Sequence, residues 1–252
     1  MSGGFFDRVY GIIDKSDIVL EILDARFPEI SRNRELEQTV IRKGKKLVLV
    51  LNKSDLLSKR TADKIKGQLA QEFPTVFVSA VERHGSAFLR NLIGKLSKGE
   101  NCVVGIVGFP NTGKSSVINF LSGRHSARTS SKAGFTRGEQ LIRLNAKVTL
   151  WDSPGVIPYR EHDSFKLLLI GSKNPDRVGD IEHYAVKFFE WFRQENPEAV
   201  KSLTGLDETA DAEELLEAFA KKKNKLLKGG IPDKKNASMM LFQAWQKGKI
   251  KV

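Results

Sequence analysis

Up to about residue 160, short runs of consecutive apolar residues alternate with longer stretches of mixed polarity. Ile18-Val19-Leu20-Glu21-Ile22-Leu23 ends at Asp24, and Leu47–Leu51 ends at Asn52. Val76-Phe77-Val78 leads into Ser79-Ala80, and Val103–Val107 leads into Gly108. Near-continuous apolar strands separated by helical stretches predict a parallel sheet covered on both faces. In such sheets the ligand lies beyond the carboxyl ends of the strands, where each run delivers its polar residues. Gln140–Leu144 and Lys147–Trp151, with Asn145-Ala146 between them, read as a strand pair joined by a turn.

From about Phe165 only helical spacing remains. Tyr184, Phe188, Trp191 and Phe192 recur at helical intervals and predict a core-facing stripe on a helix ended by Asn196-Pro197. A second helix is expected from Asp211, with Glu214 as capping-box partner, to Gly229-Gly230, and a third from about Asp233 to Gln246. Gly171–Pro175 reads as the connector. The expected organisation is α/β: a mostly parallel sheet domain over residues 1–165, then a small all-helical domain over 166–252.

Composition narrows the partners. Cys102 is the single cysteine, which excludes a disulfide or a cysteine-rich metal centre and suggests a reducing, cytoplasmic setting. Nothing approaches the roughly 20 apolar residues that span a bilayer. The stretch from Met1 to Tyr10 carries Asp7 and Arg8 and does not read as a secretion signal. No membrane partner is expected. The net charge of +12 favours polyanions, with nucleic acid first among them. That charge is unevenly placed. Asp176–Glu217 holds 4 Lys/Arg against 12 Asp/Glu, and Lys221–Val252 holds 10 Lys/Arg against 1 Asp. Lys221-Lys222-Lys223 alone could be a solvated helix face, but the whole basic segment points to RNA contact.

The candidate chemistry follows the strands. Gly108-Phe109-Pro110-Asn111-Thr112-Gly113-Lys114-Ser115 spells a phosphate-binding loop, in which glycine turns aim backbone N–H groups at phosphate oxygens. Lys114 is expected to reach the β- and γ-phosphates and the Ser115 hydroxyl to ligate Mg²⁺. Ser116 opens a helix whose N-terminal dipole adds to the site, and Asn111, Thr112 and Gly113 complete the cradle. Asn52-Lys53-Ser54-Asp55 is a guanine-reading set. The Asp55 carboxylate can accept from N1–H and the exocyclic amine together, donors that adenine lacks at that edge, and such sites discriminate by about 10⁴–10⁵. Lys53 is expected over the base plane, Asn52 as a tie to the phosphate loop, and Ser79-Ala80 at guanine O6. Asp152-Ser153-Pro154-Gly155 follows a strand, with Asp152 placed for Mg²⁺ through water and the Gly155 N–H for the γ-phosphate. Thr136 lies in a Gly-, Ser- and Arg-rich segment between the two, where an order–disorder switch would complete Mg²⁺ coordination.

The order is inverted: the base-reading set precedes the phosphate loop. Asn52–Asp55, Ser79-Ala80, Gly108–Ser115, Thr136 and Asp152–Gly155, in that sequence, resemble the circularly permuted GTPases. Asp24-Ala25-Arg26-Phe27-Pro28 resembles the D-A-R-x-P signature of the YlqF-like subfamily linked to large ribosomal subunit assembly, although by residues alone it is a strand-ending turn. Gln243–Ile250 resembles that subfamily's closing segment. The resemblance covers residues 5–160 and, more loosely, the tail. It departs at Ala133, where a proline is usual before Gly134, and at Ser153, where threonine is commoner.

The resemblance implies a circularly permuted Ras-like P-loop GTPase domain that binds GTP or GDP with Mg²⁺. It further implies a partner in the ribosomal large subunit, its precursor or its rRNA. Val156 stands where Ras-like enzymes carry a water-orienting glutamine, so slow basal turnover is expected. Asn111 occupies a loop position that offers oxygen to K⁺ in some GTPases, and it is grouped here with Lys114, Thr136 and Gly155 as a catalytic candidate. Bracing of the loop is its plainer role. Two other readings stay open: a GTPase acting on tRNA or another RNA–protein complex, and a nucleotide-gated RNA-binding module with negligible hydrolysis.

Overall fold

The computed structural model describes residues 3–123, 140–153, 155, 157 and 162–251. It divides into two compact units, Met1–His162 with Ile170–Ser172, and Asp163–Leu169 with Lys173–Val252. A single boundary at residue 165 does not provide for the return of Ile170–Ser172 to the first unit.

Among the described residues of the first unit, six strands form one sheet: β1 (Ile18–Asp24), β2 (Lys46–Asn52), β3 (Thr75–Phe77), β4 (Cys102–Val107), β5 (Gln140–Arg143) and β6 (Val148–Asp152). Their spatial order is β3-β2-β1-β4-β6-β5, with every pairing parallel except β5 with β6. The chain builds outward from β1 to β3 and then returns to the other side of β1 with β4. The reversal opens a crevice beyond the carboxyl ends of β1 and β4, the place where doubly wound sheets hold ligands.

Period-two alternation explains why the strands are apolar throughout. Ile18, Leu20 and Ile22 pack with Val117, Ile118 and Leu121 of the helix Lys114–Ser122 and with Leu89 and Ile93 of the helix Ser86–Leu96. Val19 and Leu23 turn to the opposite layer with Val9 and Ile13, and with Leu36 and Val40 of the helix Arg34–Arg42. Glu21 interrupts that second face. It is buried and accepts the Asn33 N–H at 2.6 Å, while burial, and then the Glu37 charge, push its carboxyl well above the usual range. At the antiparallel turn the Asn145 side chain accepts the N–H groups of Lys147 and Val148, both at 2.8 Å.

The second unit is helical: Ser164–Leu169, Ile181–Glu195, Pro197–Thr204, Ala212–Lys222 and Lys234–Gln246. Its core is the expected aromatic stripe joined by the closing helix. Phe188 is fully buried, with ring centroids 5.1 Å from Phe192, 5.3 Å from Trp245 and 5.7 Å from Phe242. The buried indole N–H of Trp245 donates to Leu169 O at 2.8 Å. Phe188→Ala is therefore expected to destabilise this unit by about 3–5 kcal/mol, read from urea unfolding. A loss under about 1 kcal/mol would contradict the packing.

One helix boundary differs from the sequence expectation, and one helix is additional to it. The second helix stops at Lys222, well before Gly229-Gly230, because Asn224 takes a left-handed φ of 52°. Lys225 N–H then bonds Ala220 O and Asn224 N–H bonds Lys221 O, at 2.8 and 3.0 Å, which is a Schellman closure with asparagine in place of glycine. Asn196 does end Ile181–Glu195, but its side chain also accepts the Ala199 N–H at 3.0 Å. It thereby caps the additional helix Pro197–Thr204.

Candidate nucleotide site

The crevice between β1 and β4 collects the base-reading set, the phosphate loop and Asp152. β4 ends at Val107, the loop turns through Gly108–Gly113, and Lys114 begins a helix. Gly113 adopts φ +97°, and a Cβ there would collide with the Asn52 amide. Only glycine lets these two segments meet this closely.

Asn52 joins the segments directly. Its Nδ2 donates to Thr112 O at 2.9 Å, and its Oδ1 accepts the Ala80 N–H at 3.2 Å. The expected tie to the phosphate loop is present, and the Ala80 N–H is held by Asn52. Asp55 accepts the Ser79 hydroxyl on Oδ1 at 2.6 Å, which orients the carboxylate through a charge-assisted bond. Lys53 has a left-handed φ of 64°, and its ammonium lies 2.8 Å from Asp24 Oδ2.

Lys114 is buried and donates to Gly108 O at 3.1 Å and Phe109 O at 2.8 Å. Burial brings its pKa down to about 8, against the opposing pull of Asp152. The loop thus holds its own lysine at the carbonyls that close the cradle. Gly155 lies against the loop as well, since a Cβ on it would approach Pro110 Cα to 2.8 Å and Lys114 Nζ to 2.9 Å. Asn111, with φ 61°, donates its Nδ2 to Gly171 O at 2.6 Å, and Ser172 Oγ donates to Pro110 O at 2.7 Å. Nothing in the sequence pattern signalled that Gly171 and Ser172 clasp the phosphate loop.

Ser115 and Asp152, two of the three expected Mg²⁺ ligands, lie side by side. Ser115 Oγ donates to Asp152 Oδ2 at 3.3 Å, while the buried Asp152 Oδ1 has no hydrogen-bond partner among the described residues. Burial raises the Asp152 carboxyl to about 6, opposed by Lys114. A buried carboxylate oxygen left without a donor suits a hard cation. Ser116 continues the helix that Lys114 begins. Thr136 and Val156 lie outside the described residues. Asp24 and Arg26 belong to the segment read as a strand-ending turn and as resembling the D-A-R-x-P signature, and neither has a role at the site in that reading; Asp24 closes the strand beside the one that ends in Asn52.

The described residues of the second unit add exposed lysines. Lys221, Lys222 and Lys223 face solvent, whereas Lys234 pairs with Glu217 at 2.8 Å and Glu213 at 3.4 Å. No helix among the described residues is long and apolar enough to cross a membrane.

Residues 103–188 match a family model described as a 50S ribosome-binding GTPase. A GTP-binding protein of Methanocaldococcus jannaschii is 40% identical over 95% of this chain and 64% of its own length. Nucleolar GTP-binding protein 2 of Saccharomyces cerevisiae is 32% identical over 97% of this chain and 52% of its own length. The chain therefore spans between half and two thirds of these two relatives. Among solved structures, GNP-bound YlqF from T. maritima superposes with a TM-score of 0.72 at 26% identity, covering 98% of this chain and 94% of that one. GDP-bound YlqF gives 0.71 at 27% identity, covering 97% and 96%.

Proposed function

We propose that the chain belongs to the circularly permuted GTPases of the YlqF-like family, which it resembles in structure and sequence, and that it is a GTP-hydrolysing switch acting in large ribosomal subunit assembly through rRNA or pre-ribosomal particles. The observation that carries the nucleotide assignment is Asn52. It bonds Thr112 of the phosphate loop and Ala80 of the Ser79-Ala80 turn at once, so base-reading and phosphate-holding segments form one site despite their inverted order. The ribosomal assignment draws on the family description and on the basic segment from Lys221.

In this reading Asp55 accepts from guanine, with Ser79 fixing its orientation. Lys114 leaves the loop carbonyls for the β- and γ-phosphate oxygens when nucleotide binds. Loop N–H groups from Asn111 to Ser116 cradle the phosphates, and the Gly155 N–H meets the γ-phosphate from the other side. Ser115, Asp152 and Thr136 would hold Mg²⁺, which when bound neutralises charge on the β- and γ-oxygens. The helical unit, Asp163–Leu169 with Lys173–Val252, forms the RNA-contacting part, in a cytoplasmic or other reducing compartment.

Slow intrinsic turnover follows from Val156, whose side chain cannot orient water. Asn111 would supply an oxygen to K⁺ beside the β–γ bridge. Its Nδ2 donates to Gly171 O at 2.6 Å, which braces the loop at this position. Turnover measured in potassium and in sodium, with and without large subunits, tests this reading. Potassium and subunits should each accelerate hydrolysis, and Asn111→Ala should remove the potassium effect with little loss of affinity. Negligible turnover in all four conditions would favour a nucleotide-gated binding module. Equal rates in the two salts would leave Asn111 as a brace.

A further inference from the structure

The Asp24-Ala25-Arg26 segment has no part in the reading above, yet it touches the base motif. β1 and β2 run parallel with Asp24 opposite Asn52, and the Ala25 N–H donates to Asn52 O at 2.8 Å. The carboxyl end of β1 thereby sets the Asp24 carboxylate beside Lys53. Asp24 is fully buried and receives donors on both oxygens. Arg26 donates its N–H to Oδ1 at 3.1 Å and its Nε at 3.0 Å, and its Nη2 reaches Oδ2 at 2.8 Å. Lys53 Nζ shares Oδ2, also at 2.8 Å. Burial alone would raise the Asp24 carboxyl. The charges of Lys53 and Arg26 outweigh it and hold the group well below the usual carboxylate range.

The left-handed backbone at Lys53 fixes where its side chain starts, but four carbons separate that point from the charge. A lysine stem is ordered only when its head is held. Ordering it in the free protein removes that cost from nucleotide binding. Arg26 strengthens the arrangement by fixing the carboxylate from its other side. Without Asp24, two cations would face each other in a buried place.

We propose that Asp24 is a positioning residue for guanine recognition: its carboxylate holds the Lys53 ammonium so that the lysine stem is ordered for the base plane before nucleotide arrives. This rests on the reading of Asn52–Asp55 as the guanine motif. A contact to the base plane is blind to the base edge and to the γ-phosphate. Asp24 should therefore act on GTP and GDP alike, unlike Asp55, which sets the edge preference.

The test is a double-mutant cycle on the full chain, with GTP, GDP and ATP dissociation constants from calorimetry. Asp24→Asn is expected to weaken GTP and GDP by about tenfold each, and Lys53→Met by a similar factor. The double variant should bind no worse than Lys53→Met alone. A merely structural Asp24 would add its loss on top of Lys53→Met, and additivity would overturn the proposal. So would an Asp24→Asn affinity equal to that of the unaltered chain. If Asp24→Asn does not fold, Asp24→Asn with Arg26→Gln replaces it in the cycle, which removes the facing cation. A starting protein that binds ATP as well as GTP refutes the underlying guanine reading instead, and is a separate result.

Discussion

Asp55→Asn is expected to weaken GTP binding by about a hundredfold and to turn the protein toward xanthosine triphosphate. The carboxylate accepts two donors from guanine, and each hydrogen bond to a charged group contributes about 1.5–3 kcal/mol. Asparagine keeps one acceptor and presents an amine where guanine also presents one. Xanthine carries a carbonyl at that place, so the new amine finds a partner. The Ser79 hydroxyl, 2.6 Å from Asp55 Oδ1, makes the switch sharper because the carboxylate is already oriented. Calorimetric affinities for GTP that match between the two proteins would sink the base assignment.

Lys114→Ala should abolish the stabilisation that Mg·GTP confers while leaving the nucleotide-free fold intact. Lys114 is buried against Gly108 O and Phe109 O, and burial lowers its pKa to about 8, so its removal relieves a desolvation cost while giving up two hydrogen bonds. Its contribution appears on the ligand. A nucleotide at a hundred times its dissociation constant stabilises the native state by about 2.7 kcal/mol, seen as a rise in melting temperature. The variant should melt near the unaltered protein without nucleotide and show no such rise with it. Turnover should fall by about 10²–10³, as when one preorganised electrostatic donor is lost. A variant that keeps the nucleotide-dependent rise would remove Lys114 from the site.

The sheet was legible because both faces of its strands are covered, so Leu47–Leu51 and Val103–Val107 appear as unbroken apolar runs. The motifs were legible because a tight phosphate loop and a guanine-reading carboxylate demand particular residue types at fixed spacing. Helix ends were harder. Asn224 stops a helix that the pattern carried on to Gly229-Gly230, since asparagine tolerates the left-handed conformation through its short polar side chain. Asn196 ends one helix and caps the next, a double use that no single-terminus rule anticipates. Long-range polar contacts were the least visible. The grip of Gly171 and Ser172 on Asn111 and Pro110 joins residues some sixty positions apart, and neither partner belongs to a periodic pattern. Asp24 lies between these cases, because its place at a strand end could be read but its contact with Lys53 needed the strand order.

GTP control of particle binding is measured by cosedimentation with large ribosomal subunits or their precursors, with the protein loaded with a non-hydrolysable GTP analogue or with GDP. A GTP-controlled assembly factor must have different affinities for the particle in the two nucleotide states. Clear pelleting is expected with the analogue, and marked release with GDP. Equal pelleting in both states, or pelleting in neither, would contradict GTP control.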